Sequence, residues 1–197
     1  MSDLPPEILE RYAVVSPPIR ETTEHHGSVH ILGTGAYGEV LLVRKIKDAG
    51  AKDEDSTRLA LKRCFACLML DDLTTLRRTY REIAVLRQVR RYAHRKKIVA
   101  LEDIVLPKTG CDLYLVFELA SQDLEHAIRY SALDEDAQRQ VSHDIAQALC
   151  FLHHINLMHR DVKPSNILVH TSGRAKLCDF GFVRHARDAG DAGALSK

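Results

Sequence analysis

A chain of 197 residues can form one substantial domain or two small lobes, and its 45% apolar and 28% charged residues describe a folded globular protein rather than a disordered segment. A formal net charge of +1 gives no electrostatic reason to expect nucleic acid or an anionic membrane as partner. No apolar run is long enough to span a bilayer, and the N-terminus MSDLPPEILERY has neither the basic nor the apolar region of a secretory signal. The expectation is an intracellular protein, cytoplasmic and/or nuclear. An odd count of five cysteines (Cys64, Cys67, Cys111, Cys150 and Cys178) then reads as free thiols, and the Cys64-x-x-Cys67 pair has no second pair at zinc-ribbon spacing.

In chain order, residues 1–24 read as an N-terminal extension. Pro5-Pro6 and Pro17-Pro18 flank a short helix at Glu7–Tyr12, and the ends are expected to be poorly ordered. Next come Ile31-Leu32-Gly33-Thr34-Gly35-Ala36-Tyr37-Gly38-Glu39-Val40 and an apolar continuation, which place a GxGxxG pattern between strand-like segments at Val29–Leu32 and Glu39–Arg44. A dinucleotide-binding loop would run into a helix instead, with an acid roughly 20 residues on. Glycines between strands suit either a plain hairpin turn or a loop whose amides approach phosphate oxygens. Residues 45–58 are polar and aperiodic, a solvent loop. Leu59-Ala60-Leu61-Lys62 then sets one lysine at the end of an apolar run, a candidate for phosphate contact.

From Asp71 to Val89 the pattern is helical, with a predicted apolar stripe at Leu73, Leu76, Tyr80, Ile83 and Leu86 and with Glu82 beside it. By position alone Glu82 reads as solvated, as does the basic run Arg90–Lys97. Ile98–Leu106 and Asp112–Phe117 read as strands joined by a turn at Pro107–Gly110. A helix follows at Leu124–Tyr130, and a longer one begins near Asp134, its apolar face formed by Val141, Ile145, Ala148, Leu149 and Leu152.

The stretch from His159 to Gly181, HRDVKPSNILVHTSGRAKLCDFG, concentrates the chemistry. The apolar runs Ile167–Val169 and Ala175–Cys178 flank Thr171-Ser172-Gly173-Arg174, the composition of a β-hairpin with its turn. A hairpin brings its ends together, so Asp161 and Asn166 before it can converge with Asp179 after it. Two carboxylates and an amide oxygen make a hard oxygen site suited to Mg²⁺, and Lys163 beside them suits phosphate. The residues point to phosphoryl transfer. This also gives a better account of His159 than zinc ligation does, as a packing residue beside Phe180.

Together these residues resemble the eukaryotic protein kinases, in the order Gly33-x-Gly35-x-x-Gly38-x-Val40, Ala60-Leu61-Lys62, Glu82, His159-Arg160-Asp161-x-x-x-x-Asn166 and Asp179-Phe180-Gly181. Arg77-Arg78-Thr79-Tyr80-Arg81-Glu82-Ile83 and Lys163-Pro164-Ser165-Asn166 are similar to the cyclin-dependent and MAP kinase branch. The resemblance implies an α+β protein-kinase-like fold. A β-rich N-lobe with one major helix would occupy residues 25–118, and a partial, mainly helical C-lobe residues 119–197. It implies ATP and Mg²⁺ as cofactors and a Ser/Thr hydroxyl of a protein as acceptor. Asp161 would act as base and Lys163 would lie near the γ-phosphate. Lys62 would contact the α- and β-phosphates, paired with Glu82, and Asn166 and Asp179 would hold the metal. Leu32, Gly33, Thr34, Gly35, Gly38, Val40, Ala60, Glu118, Leu119, Asp123 and Leu168 would surround the nucleotide. Arg81, Arg160 and Arg184 match family arginines that gather one phosphothreonine, which implies an upstream activating kinase.

The match departs from the family after Gly181. The tail ARDAGDAGALSK contains no APE motif, and Ser196 is the only hydroxyl in that stretch. The expectation is therefore an incomplete kinase domain, with part of the apolar face of residues 137–152 left unpacked. The alternative is a non-catalytic ATP-binding fragment or scaffold, and a dinucleotide-dependent oxidoreductase is a third reading that rests on the Gly loop alone.

Overall fold

The computed structural model describes residues 4–15, 31–35, 38–46, 57–68, 73–92, 97–130 and 133–186. They divide into two compact units, one drawn from Met1–Leu76 and Leu101–Leu119, the other from Arg77–Ala100 and Ala120–Lys197.

The first unit is built on a six-stranded antiparallel sheet. A short helix α1 (Pro6–Leu9) leads into β1 (Tyr12–Val14), followed by β2 (Ile31–Gly35), β3 (Gly38–Lys45), β4 (Arg58–Cys64), β5 (Leu101–Val105) and β6 (Leu113–Glu118). The order is β1-β3-β4-β6-β5, with β2 also on β3. β1 and β2 share one edge of β3: Gly35 lies opposite Gly38 and Ile31 opposite Leu41, and the edge continues with Val14 opposite Val43 and Tyr12 opposite Lys45. Residues 4–15 are thus woven into the sheet, and the helix expected at Glu7–Tyr12 occupies only Pro6–Leu9 before the chain turns to strand.

Side chains alternate along a strand, and residues directly opposite share a face. One face therefore carries Leu41 opposite Leu61 opposite Val116, and Val43 opposite Leu59. Leu4, Ile8 and Tyr12 close over that face into one core cluster with Val105 and Tyr114. The Tyr12 hydroxyl donates to Asp103 Oδ2 at 2.7 Å, and Arg11 donates to the same oxygen at 2.9 Å. Burial, and then the Asp103 carboxylate, push the Tyr12 phenol well above its usual pKa.

The second unit contains the helix α2 (Leu73–Val89) from Arg77 onward, β7 (Gln122–Asp123), α3 (Leu124–Tyr130), α4 (Glu135–His154), β8 (Leu157–Met158), β9 (Ile167–Val169), β10 (Ala175–Leu177) and β11 (Arg184–His185). Its small sheets run β10-β9-β7 and β11-β8. Asp134 caps α4, its carboxylate accepting from the Ala137 amide at 2.7 Å, and Glu135 and Asp136 favour the positive end of the helix dipole. Val141, Ile145, Ala148 and Leu152 of α4 are buried, so these predicted face positions are packed; Leu149 is half-buried.

The phase of α2 differs from the predicted stripe. Tyr80 is 71% exposed and Leu73 is exposed as well, whereas Thr75, Thr79, Glu82, Leu86 and Val89 are buried. Apolar spacing along this helix fits more than one face, and the packing selected the face that carries threonines and a carboxylate.

Candidate active site

In the first unit the opposite face of the sheet carries the residues singled out from the sequence. Gly33 lies opposite Val40, Val40 opposite Lys62, and Ala60 opposite Phe117. Val40, Ala60 and Lys62 therefore share one face, set there by register. The main chain also requires glycine at position 38, since a Cβ there would stand 2.0 Å from the Arg63 carbonyl oxygen. Gly33 has open space where a Cβ would stand, and Leu32 sits at the register shift between Ile31 and Gly33 with its side chain exposed. Thr34 is exposed opposite Glu39, and Glu118 ends β6 just before Leu119.

In the second unit Asp123 and Leu168 are direct cross-strand partners, and Asp123 also caps α3 by accepting from the His126 amide at 2.7 Å. Glu82 is 4% exposed, buried rather than solvated.

The predicted hairpin forms from Ile167–Val169 and Ala175–Leu177, with Lys176 opposite Leu168. Its open end is joined by the Cys178 amide donating to the Asn166 carbonyl at 3.0 Å. That bond fixes the residue before Asp179 against Asn166. Asn166 closes a 3-10 turn at Pro164–Asn166, and its side-chain amide donates to both the carbonyl and Oδ2 of Asp161, each at 2.9 Å. With the nitrogen committed in this way, the Asn166 amide presents its oxygen as the end suited to a cation. Lys163 Nζ meets the same Asp161 Oδ2 at 2.9 Å. Lys163 first, and Asn166 with it, hold the Asp161 carboxyl below its usual pKa, while Asp161 raises that of Lys163. Asp179 adopts a left-handed φ of 58° and accepts from the Gly181 amide at 3.2 Å. The donor set of carboxylate and amide oxygens fits Mg²⁺, with Asn166 and Asp179 as the residues that would hold it.

His159 is a packing residue. Its ring lies 5.1 Å from that of Phe180 in an edge-to-face arrangement. Nε2 is 2.9 Å from the Cys178 carbonyl, which can only accept, so Nε2 carries the proton and Nδ1 is free to accept from the Asp161 amide at 3.3 Å. Burial pushes the imidazole pKa down, which favours this neutral form. Among the described residues no three His, Cys, Asp or Glu side chains gather into a metal site, and all five cysteines are free.

Arg81 donates to the Gly181 carbonyl, and Arg184 lies opposite Met158 in the β11–β8 pair. Burial, and then the charges of Arg184, Arg160, Arg78 and Arg77, depress the Arg81 pKa. This is a cluster of like charge of the kind that attracts an anion.

Sequence reasoning missed Asp144. This carboxylate is fully buried within α4 and accepts from Lys97, Gln140, Arg174 and the Ala175 amide. The signal was present: Asp144 falls between Val141, Ile145 and Ala148 on the apolar face. Lys97, expected to be solvated, is its partner.

In the first unit, then, a lysine on β4 shares a sheet face with Val40 and Ala60, and in the second unit Asp161, Asn166 and Asp179 lie about the open end of a hairpin. A protein kinase domain model matches residues 27–195, and the chain belongs to that family. Its relatives include MAP kinases. It is 39% identical over 154 residues to extracellular signal-regulated kinase 7 of Drosophila melanogaster, covering 78% of this chain and 16% of that protein. It is 35% identical over 158 residues to mitogen-activated protein kinase 15 of Rattus norvegicus (80% and 27%) and 34% identical over 157 residues to mitogen-activated protein kinase 7 of Arabidopsis thaliana (78% and 39%). The chain thus spans less than half the length of these relatives. No helix among the described residues is long and apolar enough to cross a membrane.

Proposed function

We propose that this chain carries the ATP and metal machinery of a protein serine/threonine kinase, transferring the γ-phosphate of ATP to a Ser or Thr hydroxyl of a protein substrate. The observation that carries this reading is the bonded set at the hairpin's open end: Asp161 held by Lys163 and Asn166, with Asn166 bonded to the residue before Asp179. Asp161, kept ionised by these donors, is suited to orient an acceptor hydroxyl and take its proton. Lys163, paired with Asp161, would balance charge on a transferring phosphoryl group, and a lysine there fits a Ser/Thr acceptor. Asn166 and Asp179 would hold Mg²⁺, which neutralises charge developing on the phosphates. From the first unit the reading uses the amides of Gly33–Gly38 and the Lys62 ammonium for phosphate contact, and Val40 and Ala60 for the purine. Glu82 enters as a buried carboxylate suited to hold an ammonium. Catalysis of this kind is mostly positioning and electrostatics, with turnover of roughly 1–100 s⁻¹ in intact kinases.

The arginine group at Arg81, Arg160 and Arg184 supports control by a phosphorylated residue, and hence an upstream kinase. The test is Mg²⁺-ATP binding and phosphate transfer to a generic basic protein by the purified chain, with Asp161→Ala as control. Transfer that the substitution lowers by about 10³-fold, with nucleotide binding retained, supports the reading. Binding without transfer in the unaltered chain favours a non-catalytic nucleotide-binding role.

A further inference from the structure

We infer that Asp144 is a positioning residue: a buried carboxylate that anchors the closed end of the β9–β10 hairpin and thereby sets the metal-binding residues at its open end. The inference rests on the kinase reading for its functional consequence but not for its geometry.

Asp144 has no exposed surface. Its Oδ1 accepts from Lys97 Nζ at 2.5 Å, Gln140 Nε2 at 2.9 Å and Arg174 Nη2 at 3.0 Å, and its Oδ2 accepts from the Ala175 amide at 2.9 Å. The exposed His143 ring lies 3.8 Å from Oδ1. A carboxylate in such a place is strongly disfavoured unless charge and hydrogen bonds surround it, and these donors supply both. They come from three separate segments: α4 itself, the stretch leading to β5, and the hairpin turn.

The hairpin needs such an anchor. β9 and β10 have three residues each, too few for ladder bonds alone to fix a register firmly. Arg174 lies in the turn, where the Gly173 amide bonds the His170 carbonyl and the His170 amide bonds the Arg174 carbonyl, both at 2.9 Å. Asp144 grips this end through Arg174 and Ala175. Lys97 adds a second hold. The next residue, Ile98, bridges Leu177, and the Val99 amide donates to the Leu177 carbonyl at 3.0 Å. Leu177 stands two residues before Asp179. The carboxylate therefore ties α4 directly to the start of β10 and, through Lys97, to the segment whose backbone pairs with the end of β10, and β10 delivers Asp179 against Asn166. Groups that orient metal ligands without touching the metal commonly matter nearly as much as the ligands themselves.

The experiment uses the full chain with Arg174→Met, Arg174→Lys, Lys97→Met and Asp144→Asn. Arg174 is half exposed at its side chain, so its variants fold even if Asp144→Asn does not. The first measurement is hydrogen–deuterium exchange of the peptide spanning residues 166–181. Faster exchange is expected in Arg174→Met and Lys97→Met, and near-normal exchange in Arg174→Lys. The second is the Mg²⁺ concentration giving half-maximal phosphate transfer at saturating ATP, expected to rise about tenfold in Arg174→Met and to be rescued by Arg174→Lys. Unchanged exchange in both Met variants overturns the anchor. Faster exchange with an unchanged Mg²⁺ requirement overturns the positioning role. Absence of transfer in the unaltered chain overturns the kinase reading instead, and the exchange result still decides the anchor.

Discussion

The sheet of the first unit and the hairpin of the second hold their candidate functional residues by different means. In the sheet, Val40, Ala60 and Lys62 are placed by strand register, and the register is locked because the opposite face, with Leu41, Leu61 and Val116, is buried against Leu4, Ile8 and Tyr12. A slip by one residue would turn that apolar set outward. In the hairpin the strands are short, and placement depends on individual polar bonds at Asp161, Asn166, Cys178 and Asp144. Apolar locking is spread over many contacts and degrades gradually. Polar locking is concentrated, so removing a single group can undo the geometry while leaving the fold standing.

That contrast can be broken from either side. The largest effect is expected in the sheet: Leu61→Ala, at a position with no exposed surface, should cost about 2–5 kcal/mol in stability, read by chemical denaturation. In the hairpin, Asn166→Ala should leave the far-ultraviolet circular dichroism unchanged and lower phosphate transfer by about 10²-fold, because it removes a bond to Asp161 together with an oxygen proposed to hold Mg²⁺. A smaller loss of about 0.5–1.5 kcal/mol is expected for Tyr12→Phe, which deletes the hydrogen bond to Asp103 but keeps the ring that closes the sheet core; no change in the denaturation midpoint would mean that the ring alone fixes the N-terminal segment.

The most modest effect is a pH dependence. Burial depresses the His159 pKa in the folded state, against the opposing pull of the Cys178 carbonyl, Asp179 and Asp161. The unfolded chain then binds more protons once pH drops toward the ordinary histidine value near about 6.5. Stability is therefore complete above that value and is lost as pH falls through the folded pKa. His159→Gln should flatten the dependence of the denaturation midpoint between about pH 7 and about pH 5.5, and an unchanged slope would assign it to another group.

Some of this architecture was legible from the chain itself. The hairpin strands, the cap at Asp134 and the packing of His159 beside Phe180 follow from local composition and from partners near in sequence or joined by one turn. The joining of β1 to β3 was not legible, because Tyr12 and Lys45 are brought together only by the sheet. Neither was the phase of α2, where the apolar spacing named Tyr80 and the packing buried Thr75, Thr79 and Glu82.

By itself, then, the sequence determined which side chains are candidates for the chemistry, since residue type and spacing within a turn or hairpin are local properties. Only the tertiary structure decided how those side chains are held. A lysine in a basic run and an aspartate on an apolar stripe have no visible relation until folding brings them together, and a buried charge has to find its partners wherever the chain brings them.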